Sequence, residues 1–278
     1  MRDQYLLYID ILGFEHLVET APQKVDDLYE IVESLNVHAH SSFAAITFSD
    51  TILVHNVSAP VKDEDHRYLV MYQCEFARDL MHRIAGRGIV FRAVLLYGAF
   101  QHYRLNSRPY YYGPALNRAY RTAESLQVTG LVMDDHCRRY SSIFKCRSFE
   151  DSWYYVFLTQ ALEKFEDTYG ATIPLSKAVV DDTDLGWYLG PELEVLHFSA
   201  LMARGHADPR VRQKHQATLA QYKAQYPKCF SALVGEDFKM EAVSSEFDWL
   251  KVRARMQDGY EWASVRQPPL RGRVPPDR

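Results

Sequence analysis

Short, densely apolar runs alternate with longer stretches of helical periodicity along the first 160 residues. YLLYIDIL (5–12), apolar but for one acid, predicts a buried strand. A helical pattern follows Gly13-Phe14, from about Glu15 to Asn36, and Pro22 interrupts its early part. SSFAAITFSDTILVHNV (41–57) predicts two strands joined by a tight turn near Ser49-Asp50. A charged stretch, Lys62 to Arg67, separates these from an amphipathic helix from Tyr68 to Ala85, whose apolar residues Leu69, Tyr72, Phe76, Leu80 and Ile84 keep helical spacing. IVFRAVLLYGAF (89–100) predicts a strand in which Gly98 marks a bulge or a close approach. The Arg/Pro-rich residues 104–109 predict a loop, and Gly113-Pro114 opens a helix reaching about Gln127. Residues 128–134 and 149–158 predict further strands.

That order, β-α-β-β-α-β-α-β-(α)-β, predicts an α+β sandwich with helices on one face of a mixed sheet. It occupies residues 1–160 as one domain. Helical patterns at 160–169, 192–204 and 208–226, and a weaker one near 245–256, predict a helical C-terminal extension over 161–265. The Pro/Arg-rich RQPPLRGRVPPDR (266–278) predicts a disordered tail.

Composition narrows the function classes. Of 278 residues, 47% are hydrophobic and 24% charged, ordinary values for a soluble globular chain. A net charge of −4 gives no support to bulk nucleic-acid or anionic-membrane binding. No apolar run approaches the ~20 residues of a membrane span, and MRDQYLLYID has no signal-peptide pattern. Cys74, Cys137, Cys146 and Cys229 lack CxxC spacing, which points to free thiols in a cytoplasmic protein.

Two acids stand out against this background. Asp10 (YIDILGF) and Asp50 (FSDTILV) sit on or at the end of apolar runs, where a carboxylate is costly unless a positive charge accompanies it. Pairing of the first and third strands would bring both to one sheet edge. Mg2+ or Mn2+ takes oxygen ligands and commonly uses one or two carboxylates plus substrate phosphates. In GPALNRAYR (113–121), Asn117 and Arg121 are spaced i, i+4 and share a helix face. An amide and a guanidinium there suit a transferring phosphate. The backbone N–H groups at Gly13-Phe14 suit a phosphate at a helix start. Plain structural roles also fit each residue: Asp50 as a turn residue, Asp10 paired with a buried arginine, Arg121 paired with Glu124. Taken together, the four predict a metal-dependent enzyme acting on a phosphorylated small molecule.

The motifs D-I-x-G-F, F-x-D between two strands, R-x-x-x-x-x-G (Arg92, Gly98) and G-x-x-[VL]-N-x-A-x-R (Gly113, Leu116, Asn117, Ala119, Arg121) occur in the order found in class III nucleotidyl cyclases. The resemblance covers roughly residues 3–160 and implies that family's ferredoxin-like sandwich. It implies that Asp10 and Asp50, with the backbone carbonyl of Ile11, hold two Mg2+ or Mn2+ ions per site. It implies that Asn117 orients the ribose and Arg121 serves the transition state. It further implies a head-to-tail homodimer with sites at the interface, Asp10 and Asp50 from one protomer and Asn117 and Arg121 from the other. Where adenylate cyclases carry a base-selecting lysine and aspartate, this chain has Ala44 and Tyr110. A narrowed pocket argues for a smaller base than adenine.

The chain most resembles the bacterial anti-phage pyrimidine cyclases of Pycsar systems. That subset implies conversion of UTP, or else CTP, to the 3′,5′-cyclic nucleotide and pyrophosphate, the product acting on a separate effector. A purine cyclase and an inactive, cyclase-like nucleotide-binding module are the alternatives. No motif places a phosphate-gripping lysine; Arg138, Arg139 and Lys145 are the candidates, and His82, His102 and His136 receive no role.

Overall fold

The computed structural model describes residues 1–106, 108–150 and 152–257. The tail expected at 266–278 lies outside them. The chain runs β1 (Arg2–Leu12), α1 (Phe14–Thr20), α2 (Pro22–Glu33), β2 (Phe43–Phe48), β3 (Thr51–Asn56), α3 (Asp63–Ile84), β4 (Val90–Leu105), β5 (Arg108–Tyr112) and α4 (Pro114–Ser125). It continues through β6 (Gly130–Asp134), α5 (Asp135–Tyr140), β7 (Cys146–Phe149) and β8 (Trp153–Val156). The strands form one sheet in the order β2-β3-β1-β4-β6-β8-β7, with β5 hairpinned onto β4. Neighbours are antiparallel except β4 and β6. The expected α+β architecture with a mixed sheet is therefore present.

Helices cover both faces of the sheet, which corrects the expectation of one. Leu6, Tyr8, Leu53, Val94 and Leu96 face α4 and the C-terminal helices. Tyr5, Leu7, Ile9, Val54 and Leu95 pack on the other side against residues of α2 and α3. The uninterrupted apolar runs of β1 and β4 carried that information, because a strand apolar at every position is buried on both sides.

Other differences have local causes. The acids expected to form a linker, Asp63, Glu64 and Asp65, are the first turn of α3, where a helix favours negative charge. Asp65 accepts the backbone N–H groups of Val61 (2.9 Å) and Lys62 (3.2 Å). The loop expected at 104–109 is instead the end of the β4–β5 hairpin, Pro109 lying on an outer strand where a missing N–H is tolerated. A Cβ added at Gly98 would meet Ala115 of α4 at ordinary contact distance. Gly113 cannot be replaced: its φ is 152°, and a Cβ would stand 2.4 Å from the Ala99 carbonyl oxygen. That glycine lets α4 start directly on β4.

The C-terminal helices are α6 (Gln160–Asp167), α7 (Lys177–Asp182), α8 (Leu185–Gly205), α9 (Pro209–Gln225), α10 (Pro227–Leu233), α11 (Met240–Val243) and α12 (Trp249–Gln257). They share a hydrophobic core with the sheet: Tyr222 meets Tyr155 and Phe157 edge-on at 6.1 and 5.4 Å. A buried acid reinforces the junction. Glu192 of α8, fully buried, accepts the N–H groups of Ala161 (3.2 Å) and Leu162 (2.7 Å) at the start of α6. It also lies 3.5 Å from His82 Nε2 and 3.9 Å from Arg78. Glu192→Leu leaves those donors without an acceptor and is expected to cost about 3–5 kcal/mol. Chemical denaturation of the purified variant checks this.

Acid should loosen the same region. His215 of α9 is 3% exposed, and burial, aided by His206 and Lys214, lowers its pKa to about 4. The unfolded chain then binds a proton that the folded chain refuses. The folded state loses stability as pH falls from about 6.5 towards 4, on the order of 3 kcal/mol from this group. Across that range, stability measured against pH should fall less steeply for His215→Leu than for the wild type.

Candidate functional site

Strand pairing brings Asp10 and Asp50 together. Asp10 of β1 stands opposite Thr51, the first residue of β3, and Asp50 occupies the turn just before it. The turn is tight because Ser49 takes a left-handed conformation (φ 52°). A backbone bond from Ile11 N–H to the Asp50 carbonyl (2.9 Å) closes the edge. Gly13 (φ 75°) then turns the chain into α1, whose N-terminus has no side-chain cap. Ile11, Gly13 and Phe14 thus follow Asp10 along one sheet edge.

Asp10 is buried and ion-paired. Arg92 of β4, its partner in register, donates from Nε to Asp10 Oδ2 at 2.5 Å and reaches the Glu124 carbonyl at 3.4 Å. Burial pushes the Asp10 carboxyl above the usual aspartate range and Asp50 adds to this, while Arg92 and Lys214 oppose it. The pairing of Asp10 with a buried arginine, anticipated as a structural role, is therefore realised. Arg92 occupies Oδ2, so an ion at this edge would take Asp10 through Oδ1. The donor set, two carboxylates and backbone carbonyls, is all oxygen and suits Mg2+ or Mn2+. Among the described residues no three His, Cys, Asp or Glu side chains converge on a point. An ion here would complete its shell from backbone, water and phosphate.

The second half of the predicted site points elsewhere. α4 turns Ala115, Ala119 and Ala123 onto the sheet and leaves Asn117 and Arg121 exposed on its outer side. Neither side chain has a hydrogen bond or ion pair among the described residues. The Arg121–Glu124 pairing is not formed: Glu124 instead accepts the Tyr120 hydroxyl at 2.6 Å. The strongest charges felt by Asp10 come from Arg92, Asp50 and Lys214.

The two base-pocket positions also lie away from the acids. Ala44 pairs with His55, four residues along β3 from Thr51 and about 13 Å from the Asp10 row. Tyr110 stands opposite Tyr103 in the β4–β5 arm, its ring stacked 5.6 Å away. Tyr103 lies eleven steps along β4 from Arg92, a span of about 36 Å. Within one chain Tyr110 therefore stands far from the acids.

The sequence matches no family model, and no curated protein matches it either. Among solved structures the chain is similar to the adenylyl cyclase CyaB from P. aeruginosa, at 16% identity and a TM-score of 0.43, over 56% of this chain and 93% of that one. It is also similar to the guanylyl cyclase domain of the RhoGC fusion protein from the aquatic fungus Blastocladiella emersonii, at 16% identity and a TM-score of 0.46, over 56% and 97%. A third is the guanylyl cyclase Cya2, at 15% and 0.39, over 56% and 91%. Likeness at this level carries no chemistry with it. No helix among the described residues is long and apolar enough to cross a membrane.

The three basic candidates from the sequence are engaged elsewhere. Arg139 pairs with Asp135 (2.8 Å), and Lys145 with Asp167 (2.6 Å) and Glu163 (3.4 Å). Arg138 lies over the Tyr154 ring, 6.0 Å from its centroid. Lys214, absent from the sequence reading, is the basic residue that joins Arg92 near Asp10. Nothing in RQKHQATLA distinguishes it from any helix lysine; only the packing of α9 does.

Proposed function

We propose that this chain is a nucleotide cyclase, a phosphorus–oxygen lyase that closes a nucleoside triphosphate onto its own 3′-hydroxyl and releases pyrophosphate. One observation carries the reading. Asp10 and Asp50 share a sheet edge, while Asn117 and Arg121 of the same chain stand outward on α4 with no partner of their own among the described residues. Such an arrangement suits a head-to-tail homodimer in which each site takes its acids from one copy and its amide and guanidinium from the other.

In this reading Asp10 and Asp50, with the Ile11 carbonyl, would hold two Mg2+ or Mn2+ ions. Such ions, when bound, raise the nucleophilicity of the hydroxyl and offset charge on the leaving pyrophosphate. The chain's own groups do the rest. Gly13 and Phe14 present N–H groups to the triphosphate. Asn117 of the partner copy orients the ribose. Arg121 of that copy neutralises charge developing at the α-phosphorus.

In the same head-to-tail dimer the partner copy would bring Ala44 and Tyr110 to the base, and these two residues favour a pyrimidine. Alanine offers no hydrogen bond to a base edge, and tyrosine adds bulk and one hydroxyl. UTP is the favoured substrate and CTP the second, the cyclic product signalling to a separate effector in anti-phage defence. The test is incubation with each of the four ribonucleoside triphosphates and Mn2+, products being identified by mass. Cyclic UMP or cyclic CMP is expected. A cyclic purine nucleotide would replace the pyrimidine reading, and no cyclic product would leave a nucleotide-binding module.

A further inference from the structure

Helix α9 is pinned to the sheet at the row that carries Asp10. Thr218 Oγ1 accepts the backbone N–H of Thr129 at 2.9 Å and lies 3.2 Å from Thr129 Oγ1, both threonines being buried. Thr129 immediately precedes Gly130, which pairs with Arg92, which in turn pairs with Asp10. Lys214 stands one helical turn before Thr218, whose hydroxyl donates to the Lys214 carbonyl at 3.0 Å. The two side chains therefore share the side of α9 that faces the sheet.

Lys214 is half-buried, and its ammonium makes no hydrogen bond or ion pair among the described residues. The charged groups around it are Arg92, Asp10 and Asp208, and His215 follows it on the helix. Burial and Arg92 hold it below the usual lysine range, with Asp10 and Asp208 opposing. An ammonium half removed from water, beside an arginine already committed to Asp10, has no anion bonded to it among the described residues. The edge it faces is the one where Asp10 and Asp50 are read as metal ligands, so the anion expected there is a metal-bound polyphosphate.

We propose that Lys214 binds the polyphosphate tail of the nucleotide, so that the C-terminal extension contributes directly to the active site. The proposal rests on the nucleotide reading above. It involves no bond making: the ammonium donates hydrogen bonds to phosphate oxygens and offsets their charge.

The test uses the full-length protein and inorganic tripolyphosphate with Mg2+, its affinity measured by calorimetry. Lys214→Met should weaken binding about tenfold to a hundredfold, Lys214→Arg should recover most of it, and thermal stability should hold for both. With the nucleotide that is turned over, Lys214→Met should raise KM by a similar factor and change kcat little. Lys251→Met, at an exposed lysine paired with Asp248, should leave affinity unchanged; an equal loss there would mark bulk charge and overturn the proposal. So would equal tripolyphosphate affinity in Lys214→Met and wild type, or no binding by the wild type. Should Lys214→Met fail to fold, Lys214→Gln carries the same expectations. Failure of the wild type to cyclise any nucleotide defeats the cyclase reading, while tripolyphosphate affinity still decides Lys214.

Discussion

Replacing Asp10 by asparagine is expected to lower cyclic-nucleotide formation on the order of a thousandfold or more, with little change in stability. An amide oxygen retains an acceptor for Arg92, whose Nε now bonds Asp10 Oδ2, but it loses the charge that holds a divalent ion. Stability should move little because two effects oppose each other. Removing a buried negative charge that Asp50 disfavours is a gain, and weakening the ion pair with Arg92 is a loss. Asp50→Asn should behave alike, being a half-buried turn residue beside Thr51. Turnover assays with UTP and CTP, alongside thermal melts, check both variants. Wild-type activity in both would remove the acids from the mechanism.

The second large effect is expected at Arg121. Arg121→Ala should reduce kcat by about a thousandfold to a hundred-thousandfold, with KM and stability near wild type. The stability expectation follows from its position, exposed on the outer side of α4, where the Ala115–Ala119–Ala123 face supplies the packing. Asn117→Ala should also act mainly on kcat, by a smaller factor, because it is assigned to orient the ribose. A rise in KM with kcat preserved would make Arg121 a ground-state contact instead.

Much of this was legible before the structure because it follows from local rules. The apolar runs around Asp10 and Asp50 marked two strands, and the turn near Ser49 placed Asp50 at the start of β3; the antiparallel β1–β3 register is what sets that end against Asp10. Gly113-Pro114 marked the start of α4, and the i, i+4 spacing placed Asn117 and Arg121 on one face. What was not legible depends on partners distant in sequence. Arg92 lies 82 residues from Asp10, and only the β1–β4 register joins them. The β4–β5 arm was hidden because Arg and Pro read as loop, although an outer strand accepts them. The second helical layer was implicit in β1, whose every central position is buried, but the strand order alone did not assign it. Lys214 was invisible because its setting is made by one threonine pair, Thr129 and Thr218, across 89 residues.

The reading turns on two copies of the chain completing each other's sites, and mixing two dead variants tests it most directly. Asp10→Asn and Arg121→Ala, each inactive alone, are co-expressed or unfolded and refolded together, and cyclic-nucleotide formation is measured. In a randomly mixed dimer population, half the dimers carry both variants and each of those has one intact site, so about a quarter of wild-type activity should return. If the mixture stays as inactive as its parents while the wild type turns over, the four residues do not act across a subunit boundary.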